Sequence, residues 1–167
     1  MKVQPNAPSP PLAPAVETAA DLAVHLERVR LHRSELRESV AAVDLALEAP
    51  IARGGRWRER VRAALAELGH DFEDHITLTE GPGGLYERLR HAAPRLSVPV
   101  DRLAAEHREL REVIHGYLTV LEHGGTIGDL PVFREELTVP VGRLVRHRQR
   151  GGDHVHEAND VDLGGSD

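Results

Sequence analysis

Apolar side chains recur at intervals of three and four in four long stretches of this chain, the spacing that lines one face of an α-helix. The first stretch, residues 17–48, carries Leu22, Leu26, Val29, Leu36, Val40, Val43 and Leu47 on its stripe. The second, 56–79, carries Trp57, Val61, Leu65, Leu68 and Phe72. The third, 98–123, carries Val100, Leu103, Leu110, Ile114, Tyr117 and Leu121. The fourth runs from residue 132 into the C-terminal tail, with Leu137, Val141, Leu144 and Val155. Glycine and proline punctuate the pattern: Pro50 and Ala-Arg-Gly-Gly after the first stretch, Gly-Pro-Gly-Gly after the second, and a Gly-rich run ending at Pro131 after the third. Residues 85–92 read as a short additional helical turn. No stretch alternates with the period of a strand, and no solenoid repeat is present. Four helices with short links predict an all-α, up-down-up-down antiparallel four-helix bundle. Residues 1–15 hold five prolines and little to bury, so they read as a disordered arm. Residues 16–167 then form one bundle domain with a C-terminal tail.

Composition narrows the chemistry. A chain of 167 residues suits one domain with a substantial core. It has no cysteine, which excludes disulfides, thiolate metal sites and cysteine nucleophiles. A metal would have to be held by His, Asp and Glu, a donor set that suits iron, manganese, zinc or copper. The net charge is −6 with Arg and Glu interspersed, which argues against nucleic acid as a partner. No apolar run approaches the ~20 residues that span a bilayer, and the N-terminus lacks the apolar segment of a signal peptide. A cytoplasmic protein without a membrane partner is therefore expected. Aromatic residues make up 3%, so the core must be mostly Leu, Val and Ala. Histidine, with 11 copies, is abundant for this length, and position must decide what it means.

Four histidines fall on the four apolar stripes. His32 lies three residues after Val29 and four before Leu36. His75 lies three after Phe72, His107 between Leu103 and Leu110, and His147 three after Leu144. Each helix thus points one imidazole inward. A buried imidazole without a partner costs a few kcal/mol, so these are either four core histidines satisfied by hydrogen bonds or donors to a shared metal. His25 and His154, seven residues from His32 and His147, share their faces and are spare candidates. His70, His91, His115, His123 and His156 fall off the stripes or in links and read as surface. Glu35, Glu106 and Glu109 read as surface or supporting groups, and Glu106 is placed to hydrogen-bond a ligand imidazole.

The segments "LHRSELRESV", "DHITLTEGPGGLYERL", "LAAEHRELREVI" and "LVRHRQRGGDHVHEANDVDLGGSD", in this order, resemble the hemerythrin-like family of four-helix bundles with a non-heme, usually di-iron, centre. The likeness covers about residues 20–165 and is closest to a bacterial subgroup. It implies that His32, His75, His107 and His147 are the ligands of the first to fourth helices. The departures concern the carboxylates. The family's second-helix motif is His-x-x-x-Glu, but the fourth residue after His75 is Thr79, and Glu80 stands one step further. The fourth residue after His147 is Gly151. One residue is about 100° of helix rotation, so Glu80 would join His75 only if the helix end unwinds or bulges, which the following glycines permit. Otherwise Glu80 is a solvated residue beside a helix stop. On the fourth helix Asp153 and Glu157 are the candidate carboxylates, beyond a glycine pair expected to weaken or bend the helix.

The resemblance implies iron, as a pair of ions, with mononuclear iron or another divalent metal as alternatives. The implied partner is a small diatomic or peroxide ligand: O2, peroxide or nitric oxide. A second reading is an oxidative enzyme acting on an organic substrate, which needs a pocket beside the metal lined by Tyr86, Trp57 or Tyr117. A third is a structural bundle that is metal-free or holds zinc.

Overall fold

The structure is a computed structural model that describes residues 19–51, 54–123 and 127–162. The proposed N-terminal arm, residues 163–167 of the tail, and the side chains of Leu22, His25 and Leu26 lie outside the described residues. The elements are α1 (Ala19–Glu48), α2 (Gly54–Glu80), α3 (Leu85–Ala92), a 3-10 turn (Pro94–Leu96), α4 (Ser97–Glu122) and α5 (Leu130–Asp162). The four periodic stretches are therefore the four long helices, and the expected short turn at 85–92 is α3. Among the described residues there is no strand. Among the described residues, no helix is long and apolar enough to cross a membrane.

The long helices close a ring in which α1 packs on α2 and α5, and α4 packs on α2 and α5. Cross-links show the directions. On α2, Arg58 donates to the carbonyls of Leu121 and Val120. Further along, Glu73 accepts both arms of Arg111, and Glu80 meets His107. Numbers rise on α2 as they fall on α4, so the two run antiparallel. The pairs Glu109–Arg143 and Glu106–Arg150 give the same result for α4 and α5. Ser39 hydrogen-bonds Asp71 across α1 and α2.

The stripes build two apolar clusters. The larger gathers Leu36, Val43, Val61, Leu65, Leu68, Phe72, Leu110, Leu137 and Leu144 from all four long helices. The smaller joins Tyr86 and Leu89 of α3, Leu96, Val100 and Leu103, and Ala158 of α5. His107 falls between Leu103 of one cluster and Leu110 of the other, so the inward histidines form a polar layer between two apolar ones.

The link after α2 sets α3 in place. Contrary to the expectation of an unwound end, α2 stays helical through Glu80, and Gly81 N–H still bonds the Thr77 carbonyl at 3.0 Å. The chain turns only afterwards. Gly83 has φ +66°, and a Cβ on Gly84 would lie 2.7 Å from the carbonyl oxygens of both Gly81 and Thr79. Only glycine fits so tight a reversal without moving backbone. The reversal lays α3 across the bundle end and buries Tyr86 and Leu89. The glycine pair of α5 likewise does not interrupt its helix.

Candidate metal centre

His32, His75, His107 and His147 are buried, with exposures of 8%, 8%, 1% and 1%. The last three bring one ligand atom each within 4.8 Å of one another. His107 and His147 are closest, with their Nε2 atoms 2.8 Å apart. The His75 ring lies 5.1 Å from that of His107 and 5.8 Å from that of His147, centre to centre. His32 stacks on His75 at 6.0 Å. Phe72 forms the floor, stacked against His75 and edge-on to His107 and His147.

Three of the imidazoles are held from behind by a carboxylate at Nδ1. His107 meets Glu80 at 2.5 Å, His147 meets Glu106 at 3.0 Å and His32 meets Glu35 at 3.3 Å. A carboxylate accepts, so each Nδ1 carries the hydrogen, and in a neutral ring the lone pair is left on Nε2. Burial keeps the cluster neutral: it pushes His75 down to about 3 and His107 down to about 2. Burial also lowers His147, against the opposing pull of Glu106. Two lone pairs therefore face each other 2.8 Å apart between His107 and His147, an arrangement that is repulsive unless a cation lies between them. The Nε2 atoms of His32 and His75 are buried with no hydrogen-bond partner. Two nitrogens sharing one ion at ~2.1 Å each stand about 3 Å apart when adjacent, close to the separation found here. Two opposed lone pairs and two further buried ring nitrogens without partners fit a metal.

The supporting groups are themselves anchored. Burial raises Glu80, opposed by Arg111 and Arg108. Burial works against the Glu106 charge too, but hydrogen bonds from His147 and Arg150 outweigh it and lower its pKa. Tyr86 stacks on His107 at 5.5 Å with its hydroxyl 3.3 Å from Nε2, and burial raises its pKa.

A cavity of about 20 Å³ adjoins the cluster, lined by His32, His75 and His147 together with Thr79, Tyr86 and Gly151. Thr79 and Gly151 are the fourth residues after His75 and His147, and they do face the site as helix geometry requires. Neither offers a ligand: Gly151 has no side chain, and the Thr79 hydroxyl donates to the His75 carbonyl at 2.8 Å. The sequence candidates thus divide. The four histidines come together, and Glu80 stands behind His107 rather than beside His75. Asp153 is exposed on α5. Glu157 is exposed and pairs with Arg95 at 3.2 Å. His154 is half-buried and lies 3.7 Å from Glu157. Arg33 and Arg148, which also line the cavity, were not singled out by sequence reasoning. Their signal was position: each directly follows an inward histidine, about 100° around the helix, at the seam between α1 and α5.

The family model for the hemerythrin HHE cation binding domain matches residues 16–160. Comparison with curated proteins and with solved structures gives no match.

Proposed function

From the premise that the chain belongs to the hemerythrin HHE cation-binding domain family, we propose that it is a non-heme iron protein that binds or reacts with O2, peroxide or nitric oxide. The observation that carries the reading is the opposed pair of Nε2 lone pairs on His107 and His147, 2.8 Å apart, with each ring fixed at Nδ1 by a glutamate. His75, His107 and His147 would hold an ion, with His32, stacked on His75, as a further donor. Glu80, Glu106 and Glu35 act behind the ligands: they fix the tautomer, aim the rings and supply negative charge that the neutral imidazoles lack. Bound iron with an unfilled position supplies a place for a diatomic or peroxide ligand and an electron. The Tyr86 hydroxyl borders the site, 3.3 Å from His107 Nε2, and Phe72 packs against three of the rings from below.

The enclosed cavity at the cluster suits a small ligand, while a larger open cleft of about 1110 Å³ reaches His32 and Glu35 from outside. About 20 Å³ holds one or two water-sized groups. Of the three aromatics that a substrate pocket would use, Tyr86 lines the enclosed cavity, whereas Trp57 and Tyr117 pack on Phe133 instead.

The test is metal analysis with a visible spectrum on full-length protein purified without an affinity tag, before and after anaerobic Fe(II) addition. Iron binding with a spectrum that responds to nitric oxide is expected. His75→Ala and His107→Ala should each lose most of the iron. A wild-type chain that takes up no iron, or holds zinc against iron, would sink the proposal.

A further inference from the structure

Arg33 and Arg148 face each other across the seam of α1 and α5, beside the histidine cavity. Arg33 Nη2 donates to the Arg148 carbonyl at 3.4 Å, and Arg148 Nη2 to the Arg33 carbonyl at 3.5 Å. Both bonds are long and weak. The Nε of Arg148 is buried with no partner. Other arginines of the bundle differ: Arg111, Arg143 and Arg150 each meet a glutamate at 2.7 Å or less. Among the described residues, no carboxylate pairs with Arg33 or Arg148. Two guanidiniums held side by side with unused donors repel each other, and an anion between them would offset that cost.

The surroundings preserve room for such an anion. A Cβ on Gly152 would collide with Arg33 Nη2, so glycine there lets the guanidinium lie against α5. Thr79 and Gly151 leave open the space that larger side chains would fill.

We propose that Arg33 and Arg148 form a receptor for a carboxylate of formate's size, seated in the cavity beside the histidine cluster. The guanidinium fork matches a planar carboxylate with two parallel hydrogen bonds. The cavity is too small for a phosphate ester, and Val29, Leu78 and Leu85 in its wall suit the C–H of formate. The proposal extends the iron reading, since the anion would sit next to the metal, yet it rests on the arginines and not on which metal is bound.

The experiment is calorimetric titration of formate into the full-length chain, metal-loaded and as purified, with metal content measured on every sample. Saturable binding to wild type is expected. Arg33→Gln and Arg148→Gln should each weaken it by about tenfold. Arg148→Lys keeps the charge but loses the fork and should fall between. Gly152→Ala, which crowds Arg33 without removing charge, should weaken binding as well. The proposal is overturned if wild type shows no saturable binding, if the double glutamine variant binds formate as wild type does, or if phosphate binds as tightly. A chain that holds no iron but binds formate through both arginines would overturn the iron reading and leave the receptor standing. Iron loading with formate affinity indifferent to both arginines would do the reverse.

Discussion

Replacing Glu80 with alanine separates a group that ligates the metal from one that steadies a ligand. The Glu80 carboxylate accepts from His107 Nδ1 at 2.5 Å, while the ring's Nε2 faces His147. Removing the carboxylate leaves the ligand in place but frees its tautomer and its rotation. Loss of such a supporting group costs 10- to 100-fold in metal affinity, or about 1.4–2.7 kcal/mol. Glu80 is 36% exposed, so water can replace part of the lost hydrogen bond, and the lower end of that range is expected. Glu80→Gln keeps an acceptor for Nδ1–H and should lose less than Glu80→Ala. His107→Ala removes a nitrogen from the inner set and should abolish tight binding. The assay is anaerobic competition for Fe(II) against a chromophoric chelator of known affinity. If Glu80→Ala loses iron as completely as His107→Ala, the carboxylate is a direct ligand and the placement behind His107 is wrong. If affinity does not change, Glu80 does not support the site at all.

Three further outcomes concern the stability of the bundle. In the metal-free protein the folded state holds His75 near 3 while the unfolded chain takes its proton near 6.5. This contribution is full only well above pH 6.5 and is lost as pH drops, by about 1 kcal/mol over the first unit below 6.5 and about 1.4 kcal/mol per unit after that until the folded value is reached. Urea denaturation at pH 6.5 and 5.5 measures this, and a His75→Leu curve that runs parallel to wild type would refute it. Gly84→Ala should destabilise by roughly 1–3 kcal/mol and disturb Tyr86, because its Cβ would meet two backbone oxygens at 2.7 Å. Gly116→Ala, with nothing within 4 Å on the exposed face of α4, should stabilise by about 0.5–1 kcal/mol. Equal effects in chemical denaturation would contradict the close approach at Gly84.

The bundle and its four inward histidines were legible because both depend on helix periodicity. A residue three or four places from buried leucines must share their face, so His32, His75, His107 and His147 could be placed before any helix was packed. The glycine links and the short α3 were readable for the same reason: they interrupt or repeat a local pattern. The fate of Glu80 was not readable. Its angle on α2 carries it away from His75, as helix geometry requires, and no unwinding brings it back. What gives it a role is α4, which runs antiparallel beside it and presents His107 at the right height. Glu106 reaches His147 across α4 and α5 in the same way, and Arg33 meets Arg148 across α1 and α5. Asp153 and Glu157, judged by distance along the helix alone, end on the exposed side of α5. Which side chains point inward is a local property of 3.6 residues per turn, and the sequence by itself determined it. Which groups stand behind the inward ones depends on the relative height and rotation of neighbouring helices, and side-chain packing across the whole bundle decided that.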